Sequence, residues 1–141
     1  MIRKVNELDI NRIVELEETL LGETIGVELL KESITTPHLY FYTIEKEEVI
    51  GYIGACILEG QTEILNFVID EKYQRNGYGQ QLLNKIIEQS ILNNSTNIVL
   101  EVKVSNNKGI NFYQKNNFKI VNIRKNYYYD GSDAYLMLKE L

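Results

Sequence analysis

Between residues 62 and 104 the spacing of apolar residues changes period twice, and this constrains the fold more than any other feature of the chain. Thr62 to Asp70 reads as a strand. Gly79, Leu82, Leu83, Ile86 and Ile87 then recur at helical spacing up to about Leu92, and the polar run Asn93-Asn94-Ser95-Thr96 stops that helix. Asn97 to Val104 returns to strand. A strand-helix-strand crossover sets neighbouring strands parallel, so a parallel pair is expected inside whatever sheet the chain forms.

The flanking segments are expected to extend that sheet with antiparallel strands. Ile2 to Val5 is a short strand, and Asp9 is placed to cap a helix that buries Ile13, Val14, Leu16, Leu20 and Leu21 before Gly22 ends it. A second helix around Val27, Leu29, Leu30 and Ile34 closes before Pro37, which disfavours helical geometry in the residue ahead of it. Leu39 to Ile44 and Val49 to Leu58 read as a hairpin across Glu45-Lys46-Glu47-Glu48, and Glu59-Gly60-Gln61 turns into the strand at Thr62. After residue 104 come a short helix over Asn107 to Lys115 and two strand-like stretches, Phe118 to Tyr128 and Asp133 to Leu138, hinged at Asp130-Gly131. At 141 residues without repeat or linker, residues 1–141 are expected to form one α/β domain.

Charge narrows the partners. Fifteen Lys and Arg against twenty Asp and Glu leave a net −5, which repels a phosphate backbone, so no nucleic acid is expected and a cationic acceptor is suited. A single cysteine, Cys56, forbids an internal disulfide and fits a reducing compartment. With no signal-peptide pattern and no 18-residue apolar span, a cytoplasmic protein without membrane contact is expected. The single His38 has no metal-ligand spacing around it, so no metal is expected.

Gln74-Arg75-Asn76-Gly77-Tyr78-Gly79 lies where the strand gives way to the helix. Glycines there allow close backbone approach, and the unpaired amides of a helix start attract an anion. On the residues alone the turn is an anion cradle or a ligand-free tight turn. Neither the third glycine of the dinucleotide fingerprint nor Gly-Lys-Ser/Thr follows, which excludes those two phosphate motifs.

Four segments in order, Asn66-Phe67-Val68-Ile69-Asp70, Gln74-x-x-Gly77-x-Gly79, Leu100 to Asn106 and Phe112 to Phe118, resemble the GNAT superfamily of acetyl-CoA-dependent N-acetyltransferases. The closing stretch Arg124-x-x-Tyr127-Tyr128-Tyr129-Asp130-Gly131-Ser132-Asp133-Ala134-Tyr135 is similar to the protein N-terminal acetyltransferases, including the RimI-like ribosomal-protein alanine acetyltransferases. The resemblance implies a mixed, splayed central sheet flanked by helices and acetyl-CoA as co-substrate. It implies that backbone amides of Gln74, Arg75, Asn76, Gly77, Tyr78, Gly79 and Gln80 hold the coenzyme diphosphate, with Arg75 adding charge. Phe67, Val68 and Ile69 would pair with the pantetheine arm, and an N–H near Val68 would polarise the thioester carbonyl.

Two side chains carry the chemistry that the resemblance implies. Alternation sets Glu101 opposite the face of Leu100, Val102 and Val104, which leaves it on a solvated strand face or in a cleft; the resemblance makes it the base that deprotonates the amine. Tyr113 is core by pattern, and by resemblance it is the acid that protonates the departing thiolate. Asn106 caps the helix after it or contacts the cofactor. Tyr127 and Tyr128 pack on one strand face or line a peptide groove. Ser132 stands where relatives commonly carry an acidic residue, and the Leu21 to Ile34 region lacks their Trp or Pro signatures, so the resemblance does not carry peptide specificity.

Acid-base chemistry favours an N-terminal acceptor. An α-amine of pKa about 7.8 is roughly one-third neutral at about pH 7.5, whereas a lysine is neutral about 0.1% of the time. A single carboxylate suffices for the first. The expected reaction is acetyl transfer to the amine of a protein N-terminus such as a ribosomal protein. The rival readings are a lysine, polyamine or other small-amine acetyltransferase and a non-catalytic acyl-CoA-binding module.

Overall fold

The structure, a computed structural model, describes all 141 residues. One seven-stranded sheet runs through it, built from β1 (Ile2–Lys4), β2 (Leu39–Glu45), β3 (Val49–Leu58), β4 (Gln61–Ile69), β5 (Asn97–Lys103), β6 (Lys119–Arg124) and β7 (Ala134–Glu140). The strand order is β1-β2-β3-β4-β5-β7-β6. Every neighbouring pair is antiparallel except β4 and β5, which the crossover sets parallel. That crossover is α3 (Tyr78–Leu92). The other helices are α1 (Ile10–Leu21), α2 (Val27–Thr35) and α4 (Asn107–Lys115).

Helices cover both faces of the sheet. Ile10, Ile13 and Leu16 of α1 and Leu30 of α2 pack with Val5, Phe41, Val49, Tyr52 and Val68. Leu82, Leu83 and Ile86 of α3 pack with Tyr42, Ile44, Ile50, Ile53, Ile98, Leu100 and Val102 on the other face. Coverage on two sides explains why β3 is almost unbroken in apolar residues, since each of its pleat faces meets a helix.

The parallel pair is short. Only Gln61↔Asn97, Thr62↔Ile98 and Glu63↔Val99 pair, and beyond Glu63 the two strands part while β4 continues along β3. A bulge lies at the parting point, where Gly54 faces Asn66 but Ala55 faces Ile64, leaving Leu65 as the extra residue. Gly54 makes room there: a Cβ on it would come within 2.7 Å of the Phe41 ring.

Three local expectations change. Asp9 precedes α1 but does not cap it with its side chain, because its carboxylate is taken by the Asn6 N–H at 2.8 Å and by Arg3 at 2.7 Å, closing a capping box on the 3-10 turn Glu7–Asp9 instead. The first, fourth and fifth strands stop one residue short, at Lys4, Ile69 and Lys103. The expected strand Phe118 to Tyr128 is only Lys119–Arg124, so Tyr127 and Tyr128 stand on a loop. Asp133 breaks the strand by accepting from the Asn126 N–H at 3.0 Å and from Lys125 at 3.2 Å, while Asn126 takes a positive φ of 52°.

Adding one methyl at Gly54 tests the close packing beside the bulge. Gly54→Ala is expected to lose about 1–3 kcal/mol in urea unfolding, the range of an overpacked core. A loss under about 0.5 kcal/mol would show that Phe41 can step aside.

Candidate active site

The parting of β4 and β5 exposes one backbone edge of β4. Asp70 donates to Ile50 O at 2.7 Å, so by antiparallel alternation Val68 and Asn66 also turn their amides toward β3. The bulge thereby turns Phe67 and Ile69 toward the open side. Val68, expected near the polarising donor, is buried and pairs with Tyr52; the free-edge donors are its two neighbours. The Phe67 N–H has a weak local acceptor, the Asn66 Oδ1 at 3.2 Å.

The turn after β4 is built to present amides. Arg75 and Gly77 both adopt positive φ, 65° and 83°, and no side chain caps α3 at its N-cap, Gly77. The first amides of the helix therefore lack both helical and side-chain partners and point out of its N-terminus, where an anion is favoured. Gly77 has nothing within 4 Å of a built Cβ, so the left-handed backbone, and not lack of space, is what calls for glycine.

A cavity of about 930 Å³ runs from this turn along the open edge, lined by Phe67, Val68, Ile69, Gln74, Arg75, Gly77, Gly79 and Gln80 among others. Asn76 and Tyr78 do not line it. The Asn76 amide braces the turn through Tyr73 O and Gln74 O, and the Tyr78 phenol accepts from Lys46 at 2.9 Å with its ring edge-on to Tyr73. Their expected contribution is thus limited to backbone. Lys108 and Lys115 of α4 join Arg75 on the rim, seven residues apart and so on one helix face; that spacing was readable in the sequence.

A second cavity, of about 730 Å³, lies beyond the parting point between the α1–α2 loop and the loop after β6. Glu101, Tyr127 and Tyr128 line it, as do Glu23, Thr24 and Ile25, which sequence reasoning did not single out, and Leu21, which was expected in the core of the first helix but is exposed at the cavity. Leu20, Leu21, Phe67, Asn106 and Tyr113 line both cavities, so the two meet at these side chains. Asn106 caps α4 by accepting from the Gly109 N–H at 3.0 Å, and it borders both cavities.

Glu101 leaves the core face, as alternation predicts, and its side chain is 12% exposed. Burial and then Glu63 raise its carboxyl above the usual carboxylate range, opposed by Arg124, whose Nε lies 3.3 Å away. Arg124 is itself over the Tyr127 ring at 6.0 Å. Tyr113 sits among Phe67, Phe112 and Phe118 at ring-centroid distances of 6.5, 5.5 and 5.5 Å. Burial and then Tyr128 push its phenol up, so it stays protonated across the neutral range.

The chemistry divides accordingly. One cavity has unpaired amides and Arg75, Lys108 and Lys115 against the single acid Glu71, which suit a diphosphate; the other has Glu23 and Glu101 against Lys103, itself paired with Asp130, which suit a cation. No group of His, Cys, Asp and Glu able to hold a metal is present, and no helix is long and apolar enough to cross a membrane.

The Acetyltransferase (GNAT) family matches residues 9–118. The chain belongs to this family, and it is an acetyl-CoA-dependent N-acetyltransferase. An N-alpha-acetyltransferase of Sulfurisphaera tokodaii is 30% identical over 99% of this chain and 92% of its own length. The ribosomal protein bS18-alanine N-acetyltransferase of Haemophilus influenzae is 31% identical over 91% and 87%. The crystal structure of Ard1 from Thermoplasma volcanium superposes with a TM-score of 0.90 at 28% identity, covering 100% of this chain and 97% of that one. Acetyl-CoA fits the site in its amides, basic rim and open edge.

Opposite substitutions test the electrostatics of Glu101. Glu63→Gln removes a repelling charge and is expected to lower the Glu101 pKa, while Arg124→Gln removes an attracting one and is expected to raise it, both read by carboxyl carbon NMR titration. Shifts of the same sign would contradict this picture.

Proposed function

We propose that this enzyme transfers acetyl directly from acetyl-CoA to the α-amine of a protein N-terminus, with a ribosomal protein as the first acceptor to try. The observation that carries the proposal is the meeting of the two cavities at Tyr113, with Glu101 on the acceptor side. The names of the relatives from Sulfurisphaera tokodaii and Haemophilus influenzae support an N-terminal acceptor.

Acetyl-CoA supplies an activated thioester. The amides of residues 74–80 with Arg75, Lys108 and Lys115 hold its diphosphate, and Phe67 and Ile69 offer the backbone donors of the open edge. The acceptor enters between the α1–α2 loop and Tyr127 and Tyr128. Glu101, ionised above its raised pKa, takes the proton from the attacking amine directly or through water. As the carbon–sulfur bond breaks, Tyr113 gives its proton to sulfur.

Glu101→Gln and Tyr113→Phe are each expected to lower kcat by about 10²–10⁴-fold, the usual worth of a positioned acid or base, with acetyl-CoA affinity within about twofold of the parent. Undiminished turnover would remove the two roles. A peptide beginning with Ala is expected to react faster than its N-blocked, lysine-bearing counterpart; the reverse order would move the acceptor to lysine.

A further inference from the structure

Glu17 is fully buried on α1, and neither cavity touches it. Its carboxyl accepts three hydrogen bonds, from the Thr24 hydroxyl, the Tyr52 phenol and the Asn66 amide. No Lys, Arg or His pairs with it. Burial, followed by Glu17 itself, holds the Tyr52 phenol well above its ordinary value. Burying a carboxyl costs desolvation free energy, which its three hydrogen bonds offset.

Its partners show what that cost maintains. Thr24 belongs to the α1–α2 loop and lines the acceptor cavity, and its hydroxyl also receives the Gly26 N–H at 3.1 Å. Asn66 stands at the bulge of β4 and lines the same cavity, and its Oδ1 receives the Phe67 N–H of the open edge. Tyr52 fixes the carboxyl to β3, the most deeply buried strand. One carboxyl thus joins the acceptor-side loop, the bulge beside the reacting centre and the core.

We propose that Glu17 is a positioning residue for acetyl transfer: through Thr24 it holds the acceptor loop, and through Asn66 it sets the free edge of β4, without touching either substrate. This rests on the reading of the second cavity as the acceptor site. Thr24→Val keeps the shape and cuts the loop tether, together with the Gly26 N–H contact inside the loop, while Tyr52 and Asn66 stay on Glu17. It is expected to raise the KM for an N-terminal peptide about tenfold, the equivalent of about 1.4 kcal/mol and within the range of one lost hydrogen bond. Its kcat and its acetyl-CoA affinity should stay within about twofold.

Glu17→Gln, which keeps volume, is expected to raise the same KM and also to lower kcat, since it disturbs Asn66 as well. Thr24→Val added to Glu17→Gln should raise the peptide KM by clearly less than the product of the two single effects, because both cut the Thr24–Glu17 contact. Hydrogen exchange of the residue 22–26 amides should quicken in both variants while that of β3 amides does not. A merely structural role would lower the folded fraction and leave both KM values alone, and that result overturns the proposal, as do unchanged loop exchange or additive effects. Parent enzyme that acetylates the peptide alongside unaffected variants sinks this inference alone. Parent enzyme that turns over no peptide sinks the acceptor reading, and this inference falls with it.

Discussion

The whole site depends on β4 and β5 ceasing to pair after Glu63. A continuous parallel ladder would consume the amides and carbonyls of both strands and leave nothing to receive an extended ligand. Three paired residues are enough to fix the two strands side by side, and the bulge at Leu65 then bends β4 along β3. The same extra residue reverses which amides face outward. Phe67 and Ile69 become available on the open side, and Val68 is held in the sheet.

Around that gap the chain distributes charge by element. The helix start after β4 and the face of α4 bring unpaired amides, Arg75, Lys108 and Lys115 to one end; the α1–α2 loop and β5 bring Glu23 and Glu101 to the other. In the proposed reading, that division suits an anionic coenzyme at one end of the passage and a cationic amine at the other. Tyr113 and Asn106 stand where the ends join, Tyr113 packed among three phenylalanine rings and Asn106 fixed by capping α4.

Much of this was legible in the sequence because it follows from period and from turn chemistry. The crossover, the face on which Glu101 lies and the glycine turn all follow from residue spacing. The bulge did not, since Leu65 is an ordinary strand residue and only its mispairing with β3 reveals the shift. Tyr127 and Tyr128 read as strand because tyrosine is a good β-former. Hydrogen bonds from Lys125 and Asn126 to Asp133, across the loop that follows, end the strand at Arg124, and the run of good β-formers masks them. Glu17 left a partial signal, since it stands seven residues after Ile10 and four after Ile13, inside the apolar stripe of α1, but its partners come from 7, 35 and 49 residues away and no local pattern names them.

A crystal structure with coenzyme A bound tests the central claim most directly. The account predicts the diphosphate against the amides of residues 74–80, the pantetheine arm bonded to the backbone of Phe67 and Ile69, and the sulfur beside the Tyr113 hydroxyl. A coenzyme seated elsewhere, or one whose arm lies away from the free edge of β4 with Tyr113 remote from its sulfur, would contradict it.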